Sequence, residues 1–194
     1  MTATRPVLLG PSDIPTGLPL LALDVDGVLN VFDDPDLAPP AGLSSRLVRT
    51  AHGAKYRIDF DDIVIDALDE LVASGRVGLG WLTTWGPNAR ALVEKAFDGR
   101  LAGGFVLAKQ PPRYRGAIPA TWKHVALRTH LAAHPRPYAW VDDEAIAMAG
   151  LTPGADDASA FPASPGLLIA TDPAVGLTFN DVTRIAAHLD PSGA

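Results

Sequence analysis

The sequence predicts an α/β fold, a parallel sheet with helices on both faces. Three observations lead there. Short, continuous apolar runs read as strands buried on both sides. They alternate with segments whose apolar residues recur at helical spacing. Loops with Gly and Pro separate the two kinds of segment. With 194 residues and an apolar fraction of 47%, the chain can build a real core, and one domain over residues 1–194 is expected.

The elements follow in order. Residues 1–19 are rich in Pro and Gly and read as an irregular lead-in. Leu20 to Leu23 is a first strand. Ile63, Ala67, Leu68, Leu71 and Val72 share one face of a helix that Gly75 can end. Val77 to Leu82 is a second strand, and Pro87 opens a helix carrying Leu92, Val93, Ala96 and Phe97. Gly104 to Leu107 is a short third strand. Thr121 suits the N-cap of a helix that stops before Pro135. Tyr138 to Val141 is a fourth strand, Gly150 to Gly166 a loop, and Leu167 to Ala170 a fifth strand. Thr178 and Asp181 have capping-box spacing for a last helix reaching Leu189. No internal repeat interrupts this pattern.

Bulk properties narrow the function. The net charge of -6 argues against a general nucleic-acid coat, although local basic patches are compatible with it. The absence of cysteine excludes disulfides, thiolate chemistry and cysteine-ligated zinc. The start of the chain lacks a signal-peptide pattern, and no apolar run approaches the roughly 20 residues of a membrane helix. A cytoplasmic protein is expected, with no membrane partner.

Parallel sheets of this kind bind ligands at the carboxyl ends of their strands. Asp24 and Asp26 follow the first strand in "LLALDVDGVLN". Thr83 and Thr84 follow the second in "GWLTTWG", and Asp142 and Asp143 the fourth in "AWVDDEA". Lys123 opens the helix before the fourth strand. Clustered carboxylates call for a cation. Oxygen ligands with neither Cys nor a set of spaced His favour magnesium over zinc. Gly27 lets the chain turn sharply after the aspartate pair.

These residues resemble the four motifs of the haloacid dehalogenase (HAD) superfamily of phosphohydrolases. "DVDGVL" is similar to the first motif, the strand ending in Thr83 to the second, Lys123 to the third and "VDD" to the fourth. The order and spacing agree across most of the chain. The "WLTTW" segment also resembles a subgroup that includes domains attached to RNA-repair proteins. The resemblance implies a Rossmann-like sheet in the order 5-4-1-2-3 and a magnesium-dependent phosphatase. Asp24 would be the nucleophile, forming an aspartyl-phosphate, and Asp26 the general acid and base. Thr83 would hydrogen-bond a phosphoryl oxygen, with Thr84 its rival. Lys123 would neutralise charge, with Lys109 its rival. Magnesium would be held by Asp24, the backbone carbonyl of Asp26 and Asp142, with Asp143 holding Lys123 or a metal-bound water. An aspartate at position 26 favours phosphate-ester hydrolysis or phosphotransfer, since dehalogenases and P-type ATPases lack it. A receiver domain would place its lysine after the last strand. A non-catalytic phospho-ligand-binding module would have lost the nucleophile or a metal ligand.

Residues 31–60 form an insert. "RLVRT-AHGA-KYRIDF" reads as a hairpin, a flap or small cap beside the site. It is too small for a large helical cap, so the site is open or is closed by a partner. Its Arg46, Arg49, His52, Lys55 and Arg57 can guide a phosphorylated substrate, or can simply be a solvated face. Trp85 and Trp122 can stack on a base or sugar, whereas Trp81 and Trp140 belong to the core. His124 is the one histidine near a motif residue. Arg113 and Arg115, in the loop from Lys109 to Ala120, can meet a second anionic group. The expected substrate is a phosphorylated small molecule, a nucleotide or a nucleic-acid end, for hydrolysis or for phosphotransfer through the same intermediate.

Overall fold

Every side chain of β1 (Leu20–Leu23) is fully buried, because this strand has a neighbour on each side and helices on each face. The computed structural model describes residues 6–10, 13–31, 41–112, 119, 121–154 and 165–190. Along the chain follow β2 (Ser44–Arg49), β3 (Lys55–Phe60), α1 (Asp62–Ala73), β4 (Gly78–Trp81), α2 (Ala89–Lys95) and β5 (Phe105–Val106). Then come α3 (Trp122–Ala133), β6 (Tyr138–Asp142), α4 (Ala145–Met148), β7 (Gly166–Ala170) and α5 (Phe179–His188). Among the described residues, no helix is long and apolar enough to cross a membrane.

The main sheet is parallel, in the order β5-β4-β1-β6-β7, and β2 and β3 form a separate antiparallel hairpin. As labelled, this differs from the expected 5-4-1-2-3, because the hairpin takes two numbers and stands outside the sheet. Among the five parallel strands alone, the first lies between the second and the fourth, and the third and fifth are the edges.

Strand residues alternate between two cores. Leu21, Leu23, Leu79, Trp81 and Val141 face α1, α2, α5 and the hairpin. Leu20, Ala22, Tyr138 and Trp140 face α3 and α4. Trp81 and Trp140 are core residues, as expected.

Local chemistry sets the helix ends. Asp61 caps α1 by accepting from the Ile63 N–H at 2.8 Å. Thr178 and Asp181 form the expected capping box on α5. Thr121 stands at the N-cap of α3, but its side chain makes no capping bond. In α1 the buried positions are Val64, Ile65, Leu68 and Val72, and Ile63 points to solvent instead of sharing their face. Pro87 lies in a 3-10 turn, Gly86–Asn88, and α2 begins only after it. The four-residue α4 was not expected at all.

Described residues of the lead-in pack against the body of the fold. Leu8 forms a bridge to Gly104, and Arg136 donates to the carbonyls of Pro15 and Leu18. Arg113 and Arg115, residues 32–40 of the insert and most of the loop before β7 lie outside the described residues.

Candidate functional site

The register of the three central strands builds the site. Leu23 pairs with Trp81 on one side and Val141 on the other. One residue further on, Asp24 therefore lies beside Asp142, and the Asp24 N–H donates to the Val141 carbonyl at 3.1 Å. Both carboxylates are buried, at 4% and 0% exposure. The first turn of α3 brings Lys123 over them. Its Nζ donates to Asp24 Oδ2 and, at 2.8 Å, to Asp142 Oδ2. Lys123 thus reaches the pair, while Lys109 lines a separate groove against α3.

Backbone donors take the remaining carboxylate oxygens. Asp24 Oδ1 accepts from the Val25 N–H at 2.7 Å. Asp142 Oδ1 accepts from the N–H groups of Glu144 and Ala145, at 3.1 and 2.7 Å, so it also fixes the start of α4.

Asp26 is held by side chains from elsewhere in the chain. The indole N–H of Trp85 donates to its Oδ2 at 2.9 Å, and the Asn30 amide donates to its Oδ1 at 3.1 Å. Asn30 in turn accepts from the Asp59 N–H of β3 at 3.0 Å. Neither link was anticipated: Trp85 was read as a residue for stacking on substrate or for packing, and Asn30 carried no expectation. Between Asp24 and Asn30 the chain reverses through Gly27, at φ +71°. A Cβ there would collide with the Asp143 carboxylate, so both conformation and space require glycine. The Gly27 carbonyl accepts from Thr171 Oγ1 at 2.7 Å, which ties this loop to the end of β7.

A cleft of about 340 Å³ opens over these groups, lined by Asp24, Asp26, Thr84, Lys123, Asp142 and Asp143 together with residues of α3 and α4. Trp122 is part of its wall. Thr84 is exposed to the cleft, whereas Thr83 is fully buried and its Oγ1 accepts from the Trp85 N–H at 3.3 Å. Of the two, Thr83 was the preferred motif residue, and Thr84 is the one in the cleft wall. Arg57 is not in the cleft wall and forms an ion pair with Asp59 at 2.7 Å. Arg49 and Lys55 face one another across the hairpin, on the same side as Leu47 and Arg57. His124 stacks parallel to Trp140, 6.4 Å between centroids, and burial lowers its pKa, with Arg128 adding to the effect.

Electrostatics explain why this cluster is costly as it stands. Burial pushes the Asp24 carboxyl up to about 7, against the pull of Lys123 and with Asp142 adding to the rise. Burial and the neighbouring Asp142 also raise Asp143. Burial works against the Lys123 ammonium, but Asp24 and Asp142 more than offset it and hold its pKa above the ordinary value. Oxygens of Asp24, Asp142 and Asp143 lie within 4.8 Å of one another. Three carboxylates share one ammonium, an all-oxygen donor set with excess negative charge. That set fits a hard divalent cation such as magnesium. The Asp26 carboxylate is not in this group, because Trp85 and Asn30 hold it.

Comparison with known proteins gives one family. No curated protein matches the chain. The family model described as the HAD domain in Swiss Army Knife RNA repair proteins matches residues 20–182, a span that holds every element from β1 into α5. The chain belongs to that family, and through it to the HAD superfamily.

Proposed function

We propose that the chain is a magnesium-dependent phosphatase that hydrolyses a phosphate monoester through an aspartyl-phosphate. On this reading residues 1–194 act as one HAD-like domain with the hairpin as its flap. The observation that carries it is Lys123 bridging Asp24 and Asp142, with Asp26 held separately at the same cleft. The membership in a superfamily of phosphohydrolases supports it.

Each residue then has a task. A carboxylate oxygen of Asp24 attacks phosphorus while the bond to the leaving oxygen breaks. Asp26 gives that oxygen its proton. In the second half, Asp26 takes a proton from a water that attacks the same phosphorus, the bond to Asp24 breaks, and inorganic phosphate leaves. Lys123 and a hydroxyl of the Thr83–Thr84 pair would meet phosphoryl oxygens, and Thr84, which lines the cleft, is the one favoured here. Asp24, Asp142 and Asp143 would hold magnesium, which supplies positive charge to the crowded carboxylates and to the phosphoryl group.

The family's RNA-repair setting supports a phosphorylated nucleic-acid end or nucleotide as substrate. Purified protein should release phosphate from a panel of nucleotides, phosphorylated oligonucleotides and a chromogenic ester with magnesium, and not with EDTA. Asp24→Asn should lower the rate by at least a thousandfold. Release that persists in EDTA, or an Asp24→Asn protein near full activity, would overturn the assignment. Transfer of the phosphoryl group to an added alcohol in place of water would mark a phosphotransferase.

A further inference from the structure

A second cleft of about 150 Å³ joins the first, lined by Asp26, Thr50, Tyr56, Thr84, Trp85 and Asn88. It shares Asp26 and Thr84 with the main cleft. Asp26 is the residue that meets the leaving oxygen in the reading above, and the inference rests on that reading. Atoms beyond the leaving oxygen therefore have this second cleft as a neighbouring space.

Its walls have a specific chemistry. Tyr56 is 48% exposed although it is a large aromatic residue on a strand. Its ring meets Trp85 edge-on, with centroids 5.1 Å apart, so it is braced from one side. Asn88 Oδ1 accepts from the Ala51 N–H at 3.1 Å, which commits its oxygen and leaves its amide hydrogens available to an acceptor. Thr50 adds a hydroxyl that reaches the Ala54 carbonyl at 3.4 Å. An aromatic surface with amide and hydroxyl groups at its rim suits a flat, polar-edged ring. The cleft has room for a single ring system.

Arg49 and Lys55 pair across the hairpin on the face opposite to that of Tyr56, so they do not contact the ring. Their charge adds a local positive field that favours a polyanionic substrate over a mononucleotide.

We propose that this second cleft is a leaving-group subsite that takes the nucleobase of a nucleotide or nucleic-acid end, stacked on Tyr56 with Asn88 as hydrogen-bond donor. Stacking of this kind reads any base, so the subsite gives a preference for nucleosides and not for one sequence.

The test compares esters with and without a base. For Tyr56→Ala, kcat/KM on nucleoside monophosphates and phosphorylated oligonucleotides should fall about tenfold, the effect of one lost base–aromatic stack. On ribose 5-phosphate it should stay within about twofold, and Tyr56→Phe should restore most of the loss. A greater loss for oligonucleotides than for mononucleotides on Arg49→Ala or Lys55→Ala would assign the substrate to a nucleic-acid end. Equal losses on all substrates, or none, overturn the subsite. So does an equal Tyr56 dependence for phenyl phosphate, which would mark a site for any aromatic ring. Should the protein release phosphate from nothing, the phosphatase reading fails by itself. Calorimetric titration with an unphosphorylated nucleoside then decides the subsite, and affinity that does not change in Tyr56→Ala overturns it.

Discussion

Trp85 and Asp26 are 59 positions apart in the chain, and one hydrogen bond joins them. On the proposed mechanism Asp26 gives and then takes a proton, and such a carboxyl group has to keep its orientation through both halves of the reaction. The indole of Trp85 and the amide of Asn30 provide that restraint, one on each oxygen. Trp85→Phe keeps most of the packing against Tyr56 and removes the donor. It should lower kcat by about tenfold for alkyl phosphates, the cost of one lost hydrogen bond to a charged group. On p-nitrophenyl phosphate, whose leaving group departs without a proton, the loss should be small. Steady-state kinetics on the two esters check this, and an equal loss on both would mean that Trp85 acts through packing alone.

At the scale of elements, what was legible in the sequence and what was not divide by range. β1, β4, β6 and β7 are continuous apolar runs because both of their faces are covered, and they stand within a residue or so of where the runs predict. The carboxylates at the strand ends were readable for the same reason, since each lies at the end of its strand or within three residues of it. The roles of Trp85 and Asn30 depend on contacts between distant segments, and no local pattern encodes them. Thr83 and Thr84 are chemically identical neighbours, and only the turn after β4 decides which hydroxyl is exposed. Ile63 misled because α1 has more apolar residues than its buried face can use, and the adjacent Val64 and Ile65 occupy that face. The Asp24–Asn30 loop offers an element-scale prediction. Gly27 and Gly75 share φ +71°, but a Cβ at Gly75 would have open space, and one at Gly27 would strike Asp143. Each Gly→Ala change should cost about 1–2 kcal/mol from the left-handed conformation, which for a chain of this size lowers Tm by about 2–4 °C per kcal/mol. Only Gly27→Ala should also lose activity, because it displaces a residue at the cleft. Thermal melts and phosphate release on the two variants check this, and a Gly27→Ala enzyme as active as Gly75→Ala would contradict it.

For the whole molecule, the site is a charge stored at the edge of two hydrophobic cores, and on the proposed reading stability should depend on pH and metal together. Asp24 has a folded-state pKa of about 7, well above its ordinary value of 3.8. Below pH ~4 it is protonated in both folded and unfolded chains and contributes nothing to the difference. As pH rises toward 7, the unfolded chain releases the proton while the folded chain retains it, so the folded state loses stability across that window. Above it the buried charge is a constant burden. Asp24→Asn removes the burden and leaves Lys123 its bond to Asp142. In EDTA the variant should therefore melt several degrees above the parent at pH 8, and the gap should be clearly smaller at pH 5. On the proposed reading magnesium acts in the opposite sense, because a ligand that binds only the folded state stabilises it by an amount that grows with the logarithm of its concentration relative to its Kd. At pH 8, millimolar magnesium should raise the parent's Tm and move that of Asp24→Asn much less, so that the order of the two proteins narrows or reverses. A gap that is the same at pH 5 and pH 8 would show that Asp24 is not the buried charge described above. A magnesium response that survives in both Asp24→Asn and Asp142→Asn would place the cation elsewhere in the protein.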